Sequence, residues 1–173
     1  MPILLPPPAP PGDSLLRVRD RLVAWTLRHR LTEHPAITAM ADLYDRRIAA
    51  DEPSDAAWRA ARDALPLDRA LVALLGDRLP PVPSLDRVIL GALEAPGARL
   101  DMGTWHSCAT THCRAGWAIT LHPMGADLEA VFGPRMAGAA IYLRSTGAVP
   151  DFYASTGDAL ASIRAGAEIG GAR

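Results

Sequence analysis

Leu15, Val18, Leu22 and Trp25 recur at steps of three and four, the spacing that gathers side chains on one face of a helix. Asp13 or Ser14 stands just ahead of them as an N-cap. The same periodicity returns in Ile37, Met40, Leu43, Tyr44 and Ile48 behind Pro35, a residue suited to a first helical turn, and predicts a helix over 35–50. Ser54 or Asp55 caps a third segment that carries Trp58 and stops at Pro66. Further helical runs cover 67–78 and the stretch from the Ser84 cap to residue 95. "ADLEAVFG" reads as a short helix ended by Gly133, and Pro134 opens the next, to Arg144. Ser155, with Asp158 three residues on, starts a last helix containing Leu160 and Ile163. Alternation of period two is confined to a short piece near Arg99–Met102. The pattern therefore predicts an all-α protein, a compact bundle of about seven to eight short helices joined by Pro/Gly-rich connectors.

Proline and glycine set the expected organisation. Residues 1–12 read as an extended Pro-rich tail and 13–173 as a single helical domain. Within it, the clusters at 80–83 and 96–97 separate an N-terminal helical half, 13–97, from a module spanning 98–166. Each half is small for folding alone, so the two are expected to share one core.

Composition narrows the function classes. Hydrophobic residues make up 49% of the chain and aromatics only 5%, with alanine supplying much of the difference, so thin helix contacts are expected in place of a bulky core. The formal charge of −1 offers no general attraction for nucleic acid. Arg17, Arg21 and Arg28 cluster on one face of the first helix, with Asp13, Asp20 and Glu33 near enough to pair with them; a solvated basic face and an anion-binding face are both compatible with that spacing. The chain has no Lys, Asn or Gln, so every cation other than His is Arg, through compositional bias or through selection for bidentate pairing. The first residues lack the basic region and long apolar run of a signal peptide, and no stretch approaches the ~18 apolar residues of a membrane helix. A cytoplasmic protein without a membrane partner is the expectation.

Candidate chemistry is concentrated in "WHSCATTHCRAGWAI", Trp105–Ile119, which holds both cysteines, two of the five histidines and two of the four tryptophans. If Thr110 caps a helix there, Cys113 lies in its first turn, where unpaired amides and the helix dipole stabilise a thiolate. Three readings follow. In the first, Cys113, Trp117 and Leu121 form a core-facing stripe and Cys108 packs beneath the loop. In the second, His106, Cys108 and Cys113 are metal ligands, zinc by type, although a site closed within one short stretch would need His29, His34 or a carboxylate brought in by folding. In the third, Cys113 is a catalytic nucleophile with His106 as base and Asp151 as its orienter. A Cys108–Cys113 disulfide is also compatible with the separation. Gly116, inside the predicted helix, suggests close approach of another backbone.

The segment "WHSCATTHCRAGWAITL", together with "AAIYLRSTGAVPDFYASTGDALASI", resembles an uncharacterised module of phage and proteobacterial proteins, sometimes found behind pentapeptide repeats. The likeness covers about residues 100–165. It implies a phage or mobile-element setting and carries no activity with it. The resulting expectation is a non-enzymatic binding or interaction protein, a phage-related accessory factor, whose partner is a protein or a small molecule. Its pocket would be built by Trp105, His106 and His112 and rimmed by Arg114 and Tyr153. The alternatives are a hydrolase or transferase using Cys113, and a zinc-binding structural module.

Overall fold

The computed structural model of the chain describes residues 5–28 and 67–169. The helices expected over 35–50 and around Trp58 lie outside the described residues, as do His29, His34 and Glu33. The protein is all-α, with one small sheet among the described residues. It divides into two compact units that meet between Leu74 and Leu75.

In the first unit, α1 spans Leu15–Arg28 and α2 spans Leu67–Leu75, ending at the boundary. Ser14 is the cap of α1: its hydroxyl accepts from the Arg17 amide at 3.3 Å. Val18, Leu22 and Trp25 are buried, as the periodicity requires, as are Ala70, Leu71 and Leu74 of α2. The Pro-rich start is extended but not loose: the Ala9 amide donates to Leu74 O at 2.8 Å, and Ala9 is buried. Asp13 is buried too and pairs with Arg21 and Arg17, which ties part of the basic face to its own carboxylate.

In the second unit, a 3₁₀ turn at Gly76–Arg78 leads into the connector "LPPVPS". Proline removes donors from this connector, and side chains elsewhere in the unit meet much of its remaining backbone. Arg144 Nε donates to Leu79 O at 2.9 Å, His122 Nε2 to Pro80 O at 2.9 Å, and Val82 N donates to Ser145 Oγ at 3.0 Å. Because His122 Nδ1 accepts from the Met124 amide, the proton sits on Nε2. Ser84 then turns the chain into α3, Leu85–Leu93, with φ 52° and ψ 46°; its carbonyl accepts from the Arg87 and Val88 amides, while its side chain makes no cap bond to the helix.

The sheet comprises β1 (Arg99–Leu100), β2 (His106–Cys108) and β3 (Thr111–His112) in the order β1-β3-β2. β3 runs parallel to β1 and antiparallel to β2, with Arg99 opposite Thr111 and His106 opposite His112. Four helices follow: α4 (Arg114–Leu121), α5 (Gly125–Phe132), α6 (Pro134–Thr146) and α7 (Thr156–Ile169). Pro134 is at the first position of α6 and Gly147, with φ 81°, closes it. Ser155 caps α7 as expected, accepting from the Asp158 amide and donating to its carboxylate.

The core of this unit is α4 against α6, with α5 on the same pair and α3 packed on α7. The expected seam near 97 therefore falls inside one unit, since α3 lies before it and α7 after it. Arg114–Ile119 of α4 and Ala137–Tyr142 of α6 are buried without a break, so neither helix keeps a solvent face there. Close packing explains the small residues. A Cβ added to Gly138 would lie 2.6 Å from Ala115 Cβ and 3.1 Å from Ala115 Cα. Gly91, exposed in α3, has nothing within 4 Å of such an atom.

The two glycines should respond with opposite signs. Gly138→Ala forces α6 away from α4 and is expected to destabilise by about 1–3 kcal/mol. Gly91→Ala restricts the unfolded chain and improves helix propensity, and is expected to stabilise by about 0.5–1 kcal/mol. Urea unfolding of the two variants measures both.

Candidate functional site

The Cys/His segment does not start as a helix at Thr110. Thr111 and His112 are held between two strands: Arg99 N donates to Thr110 O at 2.8 Å and Asp101 N to His112 O at 3.0 Å on one side, and β2 pairs on the other. A β-branched threonine fits such a ladder well, and pairing on both sides overrides its capping tendency. The helix begins three residues later, at Arg114, and Cys113 is its N-cap.

The Cys113 thiol occupies the capping position that Ser or Thr usually takes. Sγ accepts from the Gly116 amide at 3.3 Å, and the Arg114 amide is met by Met102 Sδ at 3.3 Å, so two orphan donors of α4 end on sulfur. Amides at a helix start lower a thiol pKa, but Cys113 is only 2% exposed, and burial outweighs them and pushes the thiol up. Cys113 is a free thiol. The backbone of β2 places His106 opposite His112 and Cys108 opposite Thr111; the side chains of 106–108 lie outside the described residues. His112 is buried, its ring edge-on to Trp117 at 4.7 Å and its Nε2 3.2 Å from Ala109 O. Trp117 Nε1 donates to Arg99 O at 3.0 Å, locking α4 to β1. Trp105 is half-buried, and its carbonyl accepts from Cys113 N. Tyr153 is exposed in a turn where Asp151 accepts from its amide at 2.9 Å. Among the described residues no three His, Cys, Asp or Glu side chains converge as a metal site would require.

Arg114, a member of the predicted set, lines a cavity, with its side chain running to α3, α6 and α7. Its guanidinium is 4% exposed and spans three helices: Nη2 to Asp86 Oδ1 of α3 at 2.9 Å, Nε to Tyr142 Oη of α6 at 2.9 Å, and Nη1 to Ser162 Oγ of α7 at 2.9 Å. Tyr142 Oη also donates to Asp86 Oδ1 at 2.8 Å, so Arg, Asp and Tyr form a closed triangle. Arg114 Cζ lies 4.9 Å from the Tyr142 ring centroid, which adds a cation–π contact. Burial pushes the Tyr142 phenol well above its ordinary value, so it stays a donor. Gly166 makes room on the α7 side: a Cβ there would fall 2.1 Å from Asp86 Oδ2.

This cluster lines a cavity of about 670 Å³. Ser145 and Thr146 border it from the end of α6, Val149 and Pro150 from the following loop, and Ala165 and Ile169 from α7. Of the residues expected to build a pocket, Arg114 lines it; Trp105, His112, Cys113 and Tyr153 do not. Asp86, Tyr142 and Ser162 escaped the sequence reading because each looks local: an acid in a first helical turn, an aromatic in an apolar run, a polar residue on an outer helix face. No protein-family model, curated protein or solved structure matches the chain.

Two measurements check the site. Arg114→Ala leaves the Asp86 carboxylate buried without its partner and should cost about 3–5 kcal/mol, whereas Tyr142→Phe keeps the ion pair and should cost about 1–2 kcal/mol; urea unfolding separates them. Because the Cys113 thiol is raised, the folded state is favoured below the ordinary thiol value of ~8.5 and loses that contribution as pH rises above it. Iodoacetamide labelling of Cys113 should accordingly show an inflection above ~8.5, and labelling at pH 7 as fast as a low-pKa thiolate would contradict this.

Proposed function

We propose that the chain is a non-enzymatic binding protein whose ligand site is the cavity between α3, α6 and α7. The observation that carries this reading is the Arg114–Asp86–Tyr142 triangle on the cavity wall, three buried polar side chains facing a volume that suits a small molecule. Ligand sites combine an apolar body with a few fixed polar groups, and here apolar walls from Val149, Pro150, Ala165 and Ile169 meet that triangle. The Cys/His hairpin then serves as scaffold: it fixes the start of α4, and the start of α4 fixes Arg114. A nucleophilic role for Cys113 is less well supported, since its surroundings favour the neutral thiol. A cytoplasmic location belongs to the same proposal, and a phage or mobile-element setting follows from the resemblance over residues 100–165.

Screening fluorinated fragments by NMR against the protein and an Ala165→Trp variant tests the site. Ala165 is exposed and lines the cavity, so tryptophan there is expected to fill the space from the solvent side. Fragment binding that disappears in Ala165→Trp is the expected result. Binding that survives it and is lost instead in the Trp105→Ala, His106→Ala double variant moves the site to the hairpin.

A further inference from the structure

The cavity is not electrically symmetrical, and its asymmetry says what kind of head group it takes. Arg114 has no nitrogen idle: Nε, Nη1 and Nη2 each donate to Tyr142, Ser162 or Asp86. Asp86 is different. Oδ1 accepts from both Arg114 and Tyr142, while Oδ2 has no hydrogen-bond partner among the described residues, although Asp86 is 8% exposed and lines the cavity. Its neighbour on that side is Gly166, whose missing side chain lets α7 pack closely against the carboxylate where both line the cavity. Two further arginines of this unit are engaged elsewhere: Arg87 on Ala167 O, and Arg144 on Leu79 O and Asp77. The chain has no Lys to supply an ammonium of its own. Ser145 and Thr146 add the C-terminal end of α6, where the helix dipole is negative.

We infer that the cavity binds a primary ammonium group carried on an alkyl chain. This inference rests on the cavity being the ligand site. The ammonium donates to Asp86 Oδ2 and faces the negative end of α6. The alkyl chain lies against Val149, Pro150 and Ala165 and covers Ile169, which is 69% exposed in the free protein. A carboxylate head would bring a second negative charge against the Asp86 carboxylate. An alcohol would make the hydrogen bond without the charge.

Isothermal titration of the full chain with n-hexylamine, n-hexanol and hexanoate at neutral pH separates the cases. Hexylammonium should bind at least tenfold more tightly than hexanol, and hexanoate more weakly than either. Ala165→Trp should abolish the hexylamine signal, and Asp86→Asn should reduce it to that of hexanol. Asp86→Asn also loosens Arg114, so the Ala165→Trp result and the three-ligand ranking on the unaltered protein stand as the decisive measurements. Nα-acetyl-lysine methylamide in a fourth titration distinguishes a protein's lysine side chain from a free amine, whichever binds more tightly. Hexanol or hexanoate binding as tightly as hexylamine, and lost in Ala165→Trp, overturns the ammonium inference and leaves the cavity as the site. Binding of all three that Ala165→Trp does not alter, or no binding at all, overturns both.

Discussion

The second unit is organised around one buried ion pair. An arginine and an aspartate removed from water cost several kcal/mol each unless their geometry and remaining hydrogen bonds are good. Here Arg114 and Asp86 meet that condition by drawing in Tyr142 and Ser162, and so oblige four helices to arrive at one place. α3 must present its first turn, α6 its middle, α7 its outer face, and α4 its very first residue. The close approach of α7 at Gly166 and of α6 at Gly138 follows from the same demand for short distances. Apolar burial supplies the drive for collapse, and the charged cluster adds directional contacts that join the four helices.

Much of the helical framework was legible along the chain because its signals are local. Ser14, Pro134, Gly133 and the Ser155–Asp158 pair mark helix boundaries through chemistry within a turn of where they stand. The cluster was not legible, because Asp86, Arg114, Tyr142 and Ser162 are separated by tens of residues and each has an ordinary local reading. The start of α4 was misplaced for a related reason. Threonine at 110 and 111 has the composition of a cap, but the residues that decide its conformation are Arg99 and Cys108, which reach it only through the sheet.

The crowding of Cys, His and Trp around residue 113 finds a physical account in packing. Cys113 caps with a sulfur where a hydroxyl would bring a more demanding polar atom into a buried place. His112 and Trp117 stack edge to face, and Trp117 fastens the helix to the first strand through its indole nitrogen. Together they fix the direction in which α4 leaves the sheet. An angular error there would be carried directly to the guanidinium of Arg114, which has little freedom to correct it.

The run of alanine and glycine through the middle of α6 affects how this unit melts. Burying a leucine or methionine freezes several torsions that unfolding later releases, whereas burying alanine freezes none. Between Ala137 and Ala140 the interface is made of methyl groups and bare backbone. Disordering that stretch liberates main-chain freedom and very little rotameric freedom, so heat finds less entropy to gain there than in a core of the same area lined with long side chains.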